Sequence, residues 1–412
     1  MTSPDRPMRV LMSADTARHL GTELSRRRLF GIAGSAALAA FLASCGDDDD
    51  DDAGGTSGQA SDTGSSTGAT TATVPAQGSG DSGANSFNLF TWAEYDDPEV
   101  MSAFGNVEIT IYNSNEEAIQ KLVTAGGNSG FDMMCPTGTY IPQLVGEDLL
   151  QPLDLSRITN FKNLDKPFTN QAWDPGNKYS ICKDWGSTGW IYDKTVISRE
   201  IKTWGDFLDV AMNEASGNVS VLDAPNDLTG IYFWANDIDW TTTDPAHLSA
   251  CEDFMVNQLA PHIKAFDSYP GINLAQGNYA LSQAWNGDAR QGLLSIQSGG
   301  GDPADYGYAA VGAPKTELWM DNWVILKDAA NLDAAYNFMN YILQPEVSAK
   351  EIAFHGYNTA VLGSKEALPA DTQFLDMVYF TEEETSRMVS GSLANQDAIV
   401  DIYNKVKAAA GA

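Results

Sequence analysis

The stretch NVEITIYNSNEEAIQKLVTAG, residues 106–126, joins a strand-forming segment to a helix-forming segment. Its first seven residues are rich in β-branched side chains, which favour strands. Ser114 then stands three residues before Glu117, which is the spacing of a capping box, and the apolar residues that follow recur at helical intervals. The stretch therefore predicts one strand that leads directly into one helix.

The same alternation continues along the chain. FDMMCP (131–136) predicts a short buried strand followed by a helical stretch through Leu150, NVSVLDAP (218–225) predicts a strand entering a turn, and PAHLSACEDFMVNQLAPHI (245–263) predicts an amphipathic helix. Such alternation indicates an α/β fold with mainly parallel sheets. Because 412 residues exceed what one hydrophobic core usually serves, we expect two lobes.

The N-terminal residues 1–44 have the composition of an export signal. Arginines at 26–28 precede an apolar run from Leu29 to Ala43, which is shorter than the roughly 20 residues of a membrane-spanning helix. The Ser-Arg-Arg start resembles a twin-arginine signal, and the sequence Leu-Ala-Ser-Cys ending at Cys45 resembles a bacterial lipobox. This resemblance implies a lipid on Cys45; the alternative is an ordinary signal peptide followed by an unmodified cysteine.

Residues 45–86 are acidic at first, then consist largely of Gly, Ser, Thr and Ala, and contain no aromatic residue. Such a segment buries too little apolar surface to offset its chain entropy, so we expect a disordered tether. The whole chain has a formal charge of -31, which argues against a nucleic-acid partner and favours a cationic ligand. Solubility alone is the alternative explanation of this charge.

The sequence gives catalysis little local support. His247, His262 and His355 lack metal-ligand spacing, and the Gly-x-Ser-x-Gly match at 64–68 falls in the predicted tether. We therefore expect no enzymatic activity, no cofactor and no metal site. Acid pairs together with aromatic residues leave a secreted carbohydrate-binding or glycoside-cleaving protein as the alternative function.

Acidic and aromatic residues recur just after the predicted strands, where ligands bind in sheets of this kind. These positions are Trp92, Glu94 and Tyr95, then Thr137 to Tyr140, Asp223 and Asp227, Trp285 and Asp288, and Trp319 and Asp321. An aromatic face attracts an ammonium group by about 0.5–2 kcal/mol, and a carboxylate adds a charge-assisted hydrogen bond. Taken alone, a Trp after a strand is more often a core residue, and an Asp there more often caps the next helix, as we expect for Asp97. The prediction of an organic cation therefore rests on all of these positions together.

Many blocks in this order resemble the polyamine-binding (spermidine/putrescine) solute-binding proteins of ABC importers. They include NLFTWAEYDDPEV, SNEEAIQKL, FDMMCPTGTYI, AWNGDA, LWMDNWVIL and GYNTAVLGSKEAL, and the likeness runs from about residue 87 to 370. The resemblance implies a two-lobe periplasmic-binding-protein-like fold of type II, with hinged lobes and crossover strands. It places lobe 1 at 87–186 plus 321–363 and lobe 2 at 187–320 plus 364–412.

The resemblance also implies a set of ligand-binding residues: Trp92, Tyr95, Thr137, Asp227, Trp285, Asp288, Trp319, Asp321 and Tyr357. In this set the tryptophans and Tyr95 form aromatic walls and the aspartates bind amino groups, whereas Trp323 is expected in the core. Two departures from the family pattern leave the particular polyamine open. Ala224 stands where the family usually has an acid. Thr139 stands where the family has a tyrosine, and Tyr140 follows one position later, a shift that could take a phenol out of the site.

The implied partners are a small cation of the polyamine class, the membrane subunits of an ABC permease and, through Cys45, the membrane. We expect an exported monomer, in the periplasm or as a lipoprotein on the outer face of the cytoplasmic membrane. In an exported protein disulfides persist, and a two-lobe fold brings Cys135 near Cys182. A Cys135–Cys182 disulfide with Cys251 free is thus a hypothesis, and three buried thiols are the alternative.

Overall fold

The structure is a computed structural model that describes residues 85–411 and the dipeptide Val10–Leu11. Apart from that dipeptide, the predicted signal peptide, Cys45 and all but the last two residues of the predicted tether lie outside the described residues. Ser86, the last residue of that tether, begins a strand.

The strands are β1 Val10–Leu11, β2 Ser86–Thr91, β3 Asn106–Ile111, β4 Met133–Met134, β5 Ser180–Asp193, β6 Val219–Leu222, β7 Ile263–Asp267, β8 Leu281–Trp285, β9 Tyr306–Ala309, β10 Thr316–Ile325 and β11 Met388–Ser390.

Helices connect most of these strands. The α-helices are α1 Pro98–Phe104, α2 Asn115–Ala125, α3 Ile141–Gly146, α4 Trp204–Met212, α5 Pro225–Ala235, α6 Pro245–Phe254, α7 Pro270–Ala275, α8 Asn286–Ser298, α9 Leu332–Ile342, α10 Pro345–His355, α11 Glu382–Thr385 and α12 Gln396–Ala410. Within the described ranges, no helix combines the length and apolar content needed to cross a membrane.

The predicted strand–helix unit at 106–126 is confirmed as β3 and α2. Ser114 Oγ accepts a hydrogen bond of 3.1 Å from the amide of Glu117, and Gly126 ends the helix with a φ of 61°. In a full capping box the carboxylate of Glu117 would accept a hydrogen bond from the amide of Ser114. Here it accepts from the amide of Asn113, so only half of the capping box forms. Asp97, the expected cap of α1, accepts from the amide of Glu99.

The sheet follows the order β1-β3-β2-β4-β10-β5-β8-β6-β7, with β11 beside β10 and β9 beside β5. Strands are parallel within β1-β3-β2-β4 and within β8-β6-β7, as the sequence predicts. The long strands β5 and β10 join these two groups through antiparallel pairing. The molecule therefore has two α/β lobes connected by β5 and β10, and a bridge between Trp185 and Asn358 adds a third crossing segment beside them.

Each lobe has its own hydrophobic core. One core surrounds Phe87, Trp323 and Phe338, so Trp323 is a core residue as expected. The other contains Trp190 and Trp204 and receives three apolar residues of the C-terminal helix α12, namely Ile399, Ile402 and Val406. This packing fixes α12 to the second lobe.

Two predicted helices end earlier than the sequence suggests. The helical stretch expected through Leu150 ends at Gly146, and Leu150 instead bridges to Leu326. The helix expected over 245–263 is regular only to Phe254. A π-helical turn and a 3₁₀ turn follow, and Ile263 already belongs to β7.

The hypothesis of a Cys135–Cys182 disulfide is wrong: both cysteines, like Cys251, are free buried thiols. Cys135 follows β4, Cys182 lies on β5, and β10 runs between the two strands. Two inter-strand spacings separate the Cα atoms by about 9–10 Å, beyond the roughly 7 Å that a disulfide can bridge.

Candidate ligand-binding site

A cavity of about 460 Å³ lies between the two lobes. All nine residues that the sequence predicts as ligand-binding line it: Trp92, Tyr95, Thr137, Asp227, Trp285, Asp288, Trp319, Asp321 and Tyr357. The topology explains this convergence, because the carboxyl ends of parallel strands open toward one side of a sheet. Contact between these nine residues and a ligand remains a prediction.

Strand ends and helix starts place these side chains. Trp92 to Tyr95 follow β2, and Asp227 and Asp288 lie in the first turns of α5 and α8, which begin after β6 and β8. On β10, side chains alternate between the two faces of the sheet, so Glu317, Trp319 and Asp321 share the face toward the cavity. A register shift follows directly after Asp321, and such bulges are frequent beside functional sites.

Tyr95 links two buried carboxyl groups at the first-lobe side of the cavity. Its hydroxyl oxygen lies 2.5 Å from Asp184 Oδ1 and 2.9 Å from Asp321 Oδ2. The hydroxyl carries one hydrogen, so two full hydrogen bonds need a second proton on one of the carboxyls. Burial, together with the neighbouring charge of Asp184, raises the pKa of Asp321 to about 7. Asp321 can therefore hold a proton while no ligand is bound and release it to solvent when a cationic ligand binds.

A buried lysine lies behind this wall of the cavity. Lys183 is 4% exposed, and its Nζ lies 3.4 Å from Asp96, 3.4 Å from Asp184 and 3.6 Å from Glu351. Burial lowers the pKa of Lys183, but these carboxylates raise it more, so the net shift is upward. It also donates to the carbonyl oxygen of Tyr95 at 2.9 Å. Its charge is thus compensated within the protein and does not reach the cavity.

A second acidic pair lies where β10 meets the second lobe. Asp227 accepts a 2.5 Å hydrogen bond from Thr188 Oγ1, and burial raises the pKa of Asp227 to about 6. Glu317 is 7% exposed. Burial first, and then the charges of Asp227 and Asp321, raise the pKa of Glu317 well above its usual value.

Aromatic rings complete the walls between these acids. Trp319 packs edge-to-face on Tyr357 with ring centroids 4.8 Å apart. Tyr357 donates to Asp288, whose pKa burial raises to about 7. Trp92 donates to the carbonyl oxygen of Cys135 at 3.0 Å, which fixes its indole. The rings are thus held in place before any ligand enters.

The ionisable side chains that line the cavity are mainly acidic. Seven carboxylate residues line it: Glu94, Glu116, Asp223, Asp227, Asp288, Glu317 and Asp321. Among the described residues that line it there is no lysine or arginine, and burial lowers the pKa of His355, which keeps that imidazole neutral. The cavity therefore favours positive charge.

The departures from the family pattern have different outcomes. Ala224 lines the cavity and leaves its position without a charge. Tyr140 also lines the cavity, so the concern that its shifted position removes a phenol is wrong, although its hydroxyl donates to Glu116 at 2.5 Å. The described residues contain no cluster of three or more groups that could hold a metal ion.

Sequence reasoning missed three charged residues of this region. Asp184 and Lys183 lie on β5, but nothing local in the sequence indicates that Asp184 pairs with Tyr95 or that Lys183 pairs with Glu351. Glu317 had a local signal, because it precedes Trp319 and Asp321 at the two-residue interval of a strand.

The two lobes touch across the mouth of the cavity. Tyr269 Oη donates to Asn113 Oδ1 at 3.2 Å, and Gln396 on α12 donates to Glu116 at 3.1 Å. Tyr269 and Gln396 belong to the second lobe, whereas Asn113 and Glu116 belong to the first. These hydrogen bonds link the two lobes beside the cavity.

Comparisons with known proteins agree with this architecture. The family model of the bacterial extracellular solute-binding proteins matches residues 99–374. The spermidine/putrescine-binding periplasmic protein of Escherichia coli K12 is 27% identical over 308 residues, which is 73% of this chain and 84% of the relative. The putrescine/agmatine-binding protein of Pseudomonas aeruginosa is 28% identical over 305 residues, which is 69% of this chain and 80% of the relative.

A solved structure of a putative spermidine/putrescine ABC transporter from Listeria monocytogenes superposes with a TM-score of 0.68 at 26% identity. The match covers 78% of this chain and 97% of the other. This superposition supports the same overall fold for the two chains. Because the family model matches well over half of the sequence, the chain belongs to the family of bacterial extracellular solute-binding proteins.

Proposed function

We propose that this protein captures a polyamine, of the putrescine or spermidine kind, or a related organic cation between its lobes and delivers it to the membrane subunits of an ABC importer. The observation that carries this proposal is the cavity lined by seven carboxylate residues and, among the described residues, by no lysine or arginine. The relatives named for spermidine, putrescine and agmatine support the same ligand class.

The ligand enters chemically unchanged and leaves unchanged in this proposal. Its ammonium groups pair with carboxylates such as Asp321, and its methylene chain lies against Trp319 and the neighbouring rings. The cavity volume falls within the range of small-molecule sites. An anionic ligand would need arginine or another fixed donor in the walls.

Closure of the lobes couples binding to delivery. Only the closed arrangement offers both walls of the cavity, so ligand affinity shifts the equilibrium toward it. The contacts of Tyr269 with Asn113 and of Gln396 with Glu116 belong to that closed state. In this proposal the permease recognises the closed state, with lobe 1 at 87–186 plus 321–363 and lobe 2 at 187–320 plus 364–412.

We assign the remaining parts of the chain to export and retention. Residues 1–44 direct export, a lipid on Cys45 anchors the protein, and the residues from Cys45 up to the start of β2 at Ser86 form the tether that holds a monomeric receptor away from the membrane. The combination of an arginine cluster, a short apolar run and a cysteine after small residues supports this assignment. The protein then acts on the outer face of the cytoplasmic membrane.

Calorimetric titration tests the ligand class. The full chain is titrated with putrescine, spermidine, spermine, a betaine and an oligosaccharide. We expect saturable binding of at least one of the amines and no heat of binding with the oligosaccharide. Binding or cleavage of the oligosaccharide without binding of any amine contradicts the proposal.

A further inference from the structure

Asp223 is an acid of the cavity wall that already has a cationic partner inside the protein. It follows β6 and lines the cavity, and its neighbour Ala224 adds no charge there. Lys407 on α12 places its Nζ 2.8 Å from Asp223 Oδ1, and the hydroxyl of Tyr403 donates to the same oxygen. The C-terminal helix therefore balances the charge of Asp223 without any ligand.

The surroundings of Lys407 combine an acid with aromatic rings, as the cavity itself does. The Nζ atom lies 5.2 Å from the ring centroid of Phe266 and 5.2 Å from that of Tyr403, and it donates to the Tyr403 hydroxyl at 3.1 Å. Ile402 and Val406 of the same helix are buried in the core of the second lobe. Lys407 is thus a built-in ammonium on a firmly packed helix.

Helix α12 also contacts an acid of the first lobe beside the cavity. Gln396 donates to Glu116 at 3.1 Å and to the hydroxyl oxygen of Tyr140 at 3.3 Å. Burial first, then the hydrogen bond and charge of Asp223, and last the charge of Glu116 raise the pKa of Tyr403. Both acids therefore lie near Tyr403, one from each lobe, and α12 supplies a hydrogen-bond donor to each of them.

A carboxylate that is already paired attracts a ligand ammonium much less than a free one. The positive charge of Lys407 cancels most of the field of Asp223, because the two charged groups are only 2.8 Å apart. A ligand would have to displace an ammonium that is tethered to α12. Such a tethered group rebinds at a high effective concentration, so the displacement is unfavourable.

We propose that Lys407 is a specificity-determining residue: it occupies Asp223 with its own ammonium, denies this acid to a further charge of the ligand, and so lowers the affinity for triamines relative to diamines. This inference rests on the proposed function. It assigns discrimination within the polyamine class to α12, a helix that lies beyond the residues 99–374 that the family model matches.

The test compares spermidine with putrescine, which is shorter and carries one ammonium fewer. Both are titrated calorimetrically into the full wild-type chain, into Lys407→Met and into the matched control Lys405→Met, which breaks exposed ion pairs of the same helix. In Lys407→Met, affinity for spermidine should rise about three- to tenfold relative to putrescine, because a partly exposed carboxylate becomes available to the third ammonium. The control should keep the wild-type ratio of the two affinities.

Two further variants test whether Lys407 acts through Asp223. Lys407→Arg keeps a cation at this position and should keep the wild-type ratio. In the double variant Lys407→Met/Asp223→Asn the rise should disappear, a result that loss of helix packing alone would not produce. A rise that persists in the double variant overturns the inference.

The outcomes separate this inference from the proposed function. Absence of binding of both amines by wild type overturns the two together. Binding of amines by wild type, with an unchanged affinity ratio in Lys407→Met, overturns the role of Lys407 alone. Thermal unfolding verifies that each variant is folded; should Lys407→Met not fold, Lys407→Gln replaces it, with the same results expected.

Discussion

The hydroxyl oxygen of Tyr95 lies 2.9 Å from Asp321 Oδ2, so an aromatic residue after the first strand of lobe 1 holds an acid on a strand that joins the lobes. The same hydroxyl contacts Asp184, which in turn lies beside buried Lys183. The acid that faces the cavity is therefore positioned from behind by a fixed network. Its front remains available to a cation from solution.

Removal of the Asp321 charge should weaken amine binding without unfolding the protein. In Asp321→Asn, the ammonium loses a charged hydrogen-bond partner, and we expect affinity for putrescine to fall about ten- to a hundredfold. The variant should be at least as stable as wild type, because it removes one of two neighbouring buried acids. Calorimetry and thermal unfolding measure the two effects. Unchanged affinity would show that Asp321 does not contact the ligand.

Amine affinity should depend on pH between 5 and 8. Burial raises the pKa of Asp321 to about 7 and that of Asp227 to about 6, so both acids take up protons as the pH falls through this range. A protonated carboxyl offers no charge to an ammonium, and affinity should therefore fall as the pH decreases from 8 to 5. Titrations at constant ionic strength measure this dependence. It should be shallower in Asp321→Asn, and a pH-independent affinity in wild type would contradict the assignment.

The stability of the ligand-free protein should depend on pH through Asp288, and it should fall as the pH rises, whereas amine affinity should increase. Burial raises the pKa of its carboxyl from 3.8 to about 7, so its stabilising, protonated state is complete below its unfolded pKa and is lost as the pH rises through about 7. Asp288→Asn should thus gain stability relative to wild type at pH 8, on the order of 1–4 kcal/mol, and this advantage should be clearly smaller at pH 5, which lies closer to the unfolded pKa. Denaturant unfolding at both pH values checks this. An equal difference at pH 5 and pH 8 would show that the charge of Asp288 is not the cause.

Loss of the Lys183 charge should destabilise the whole domain. Three buried carboxylates surround its Nζ within 3.6 Å, and Lys183→Met leaves them without a counter-ion. We expect the free energy of unfolding to fall by about 3–5 kcal/mol. The control Lys315→Met breaks an exposed pair with Asp237 and should cost no more than about 1 kcal/mol. Similar losses for both variants would mean that the buried network contributes little.

Thiol labelling should find the cysteines of the folded part reduced. After denaturation without reductant, alkylation and mass spectrometry should show modified Cys135, Cys182 and Cys251, since each is a free buried thiol. Prior reduction should leave the labelling of these three residues unchanged. Labelling of Cys135 and Cys182 that requires a reductant would contradict the strand order in which β10 separates them.

Local signals explain what the sequence predicts well. β-branched residues and a capping serine define β3 and α2, and strand ends of a parallel sheet converge, which brings Trp92, Asp227 and Trp285 to one cavity. The residues that sequence reasoning missed depend on long-range packing. Lys183 and Glu351 are far apart in the chain, and they meet each other and the predicted residue Tyr95 only because β5, α10 and the segment after β2 assemble.

The wrong disulfide has the same origin. Cys135 and Cys182 lie in neighbouring regions of the fold, but their separation depends on β10, a strand that enters between them from much later in the chain. No spacing within the sequence reveals that insertion. Glu317 is different, because the alternation along β10 was sufficient to place it beside Trp319 and Asp321.

The central claim is that the acid-lined cavity binds positive charge, and two molecules with the same four-carbon backbone and opposite charges test it most directly. Putrescine carries an ammonium at each end of its chain, and butanedioate carries two carboxylates. Equilibrium titration of the full chain at neutral pH should give saturable binding of putrescine and none of butanedioate. Binding of butanedioate in preference to putrescine would contradict the account.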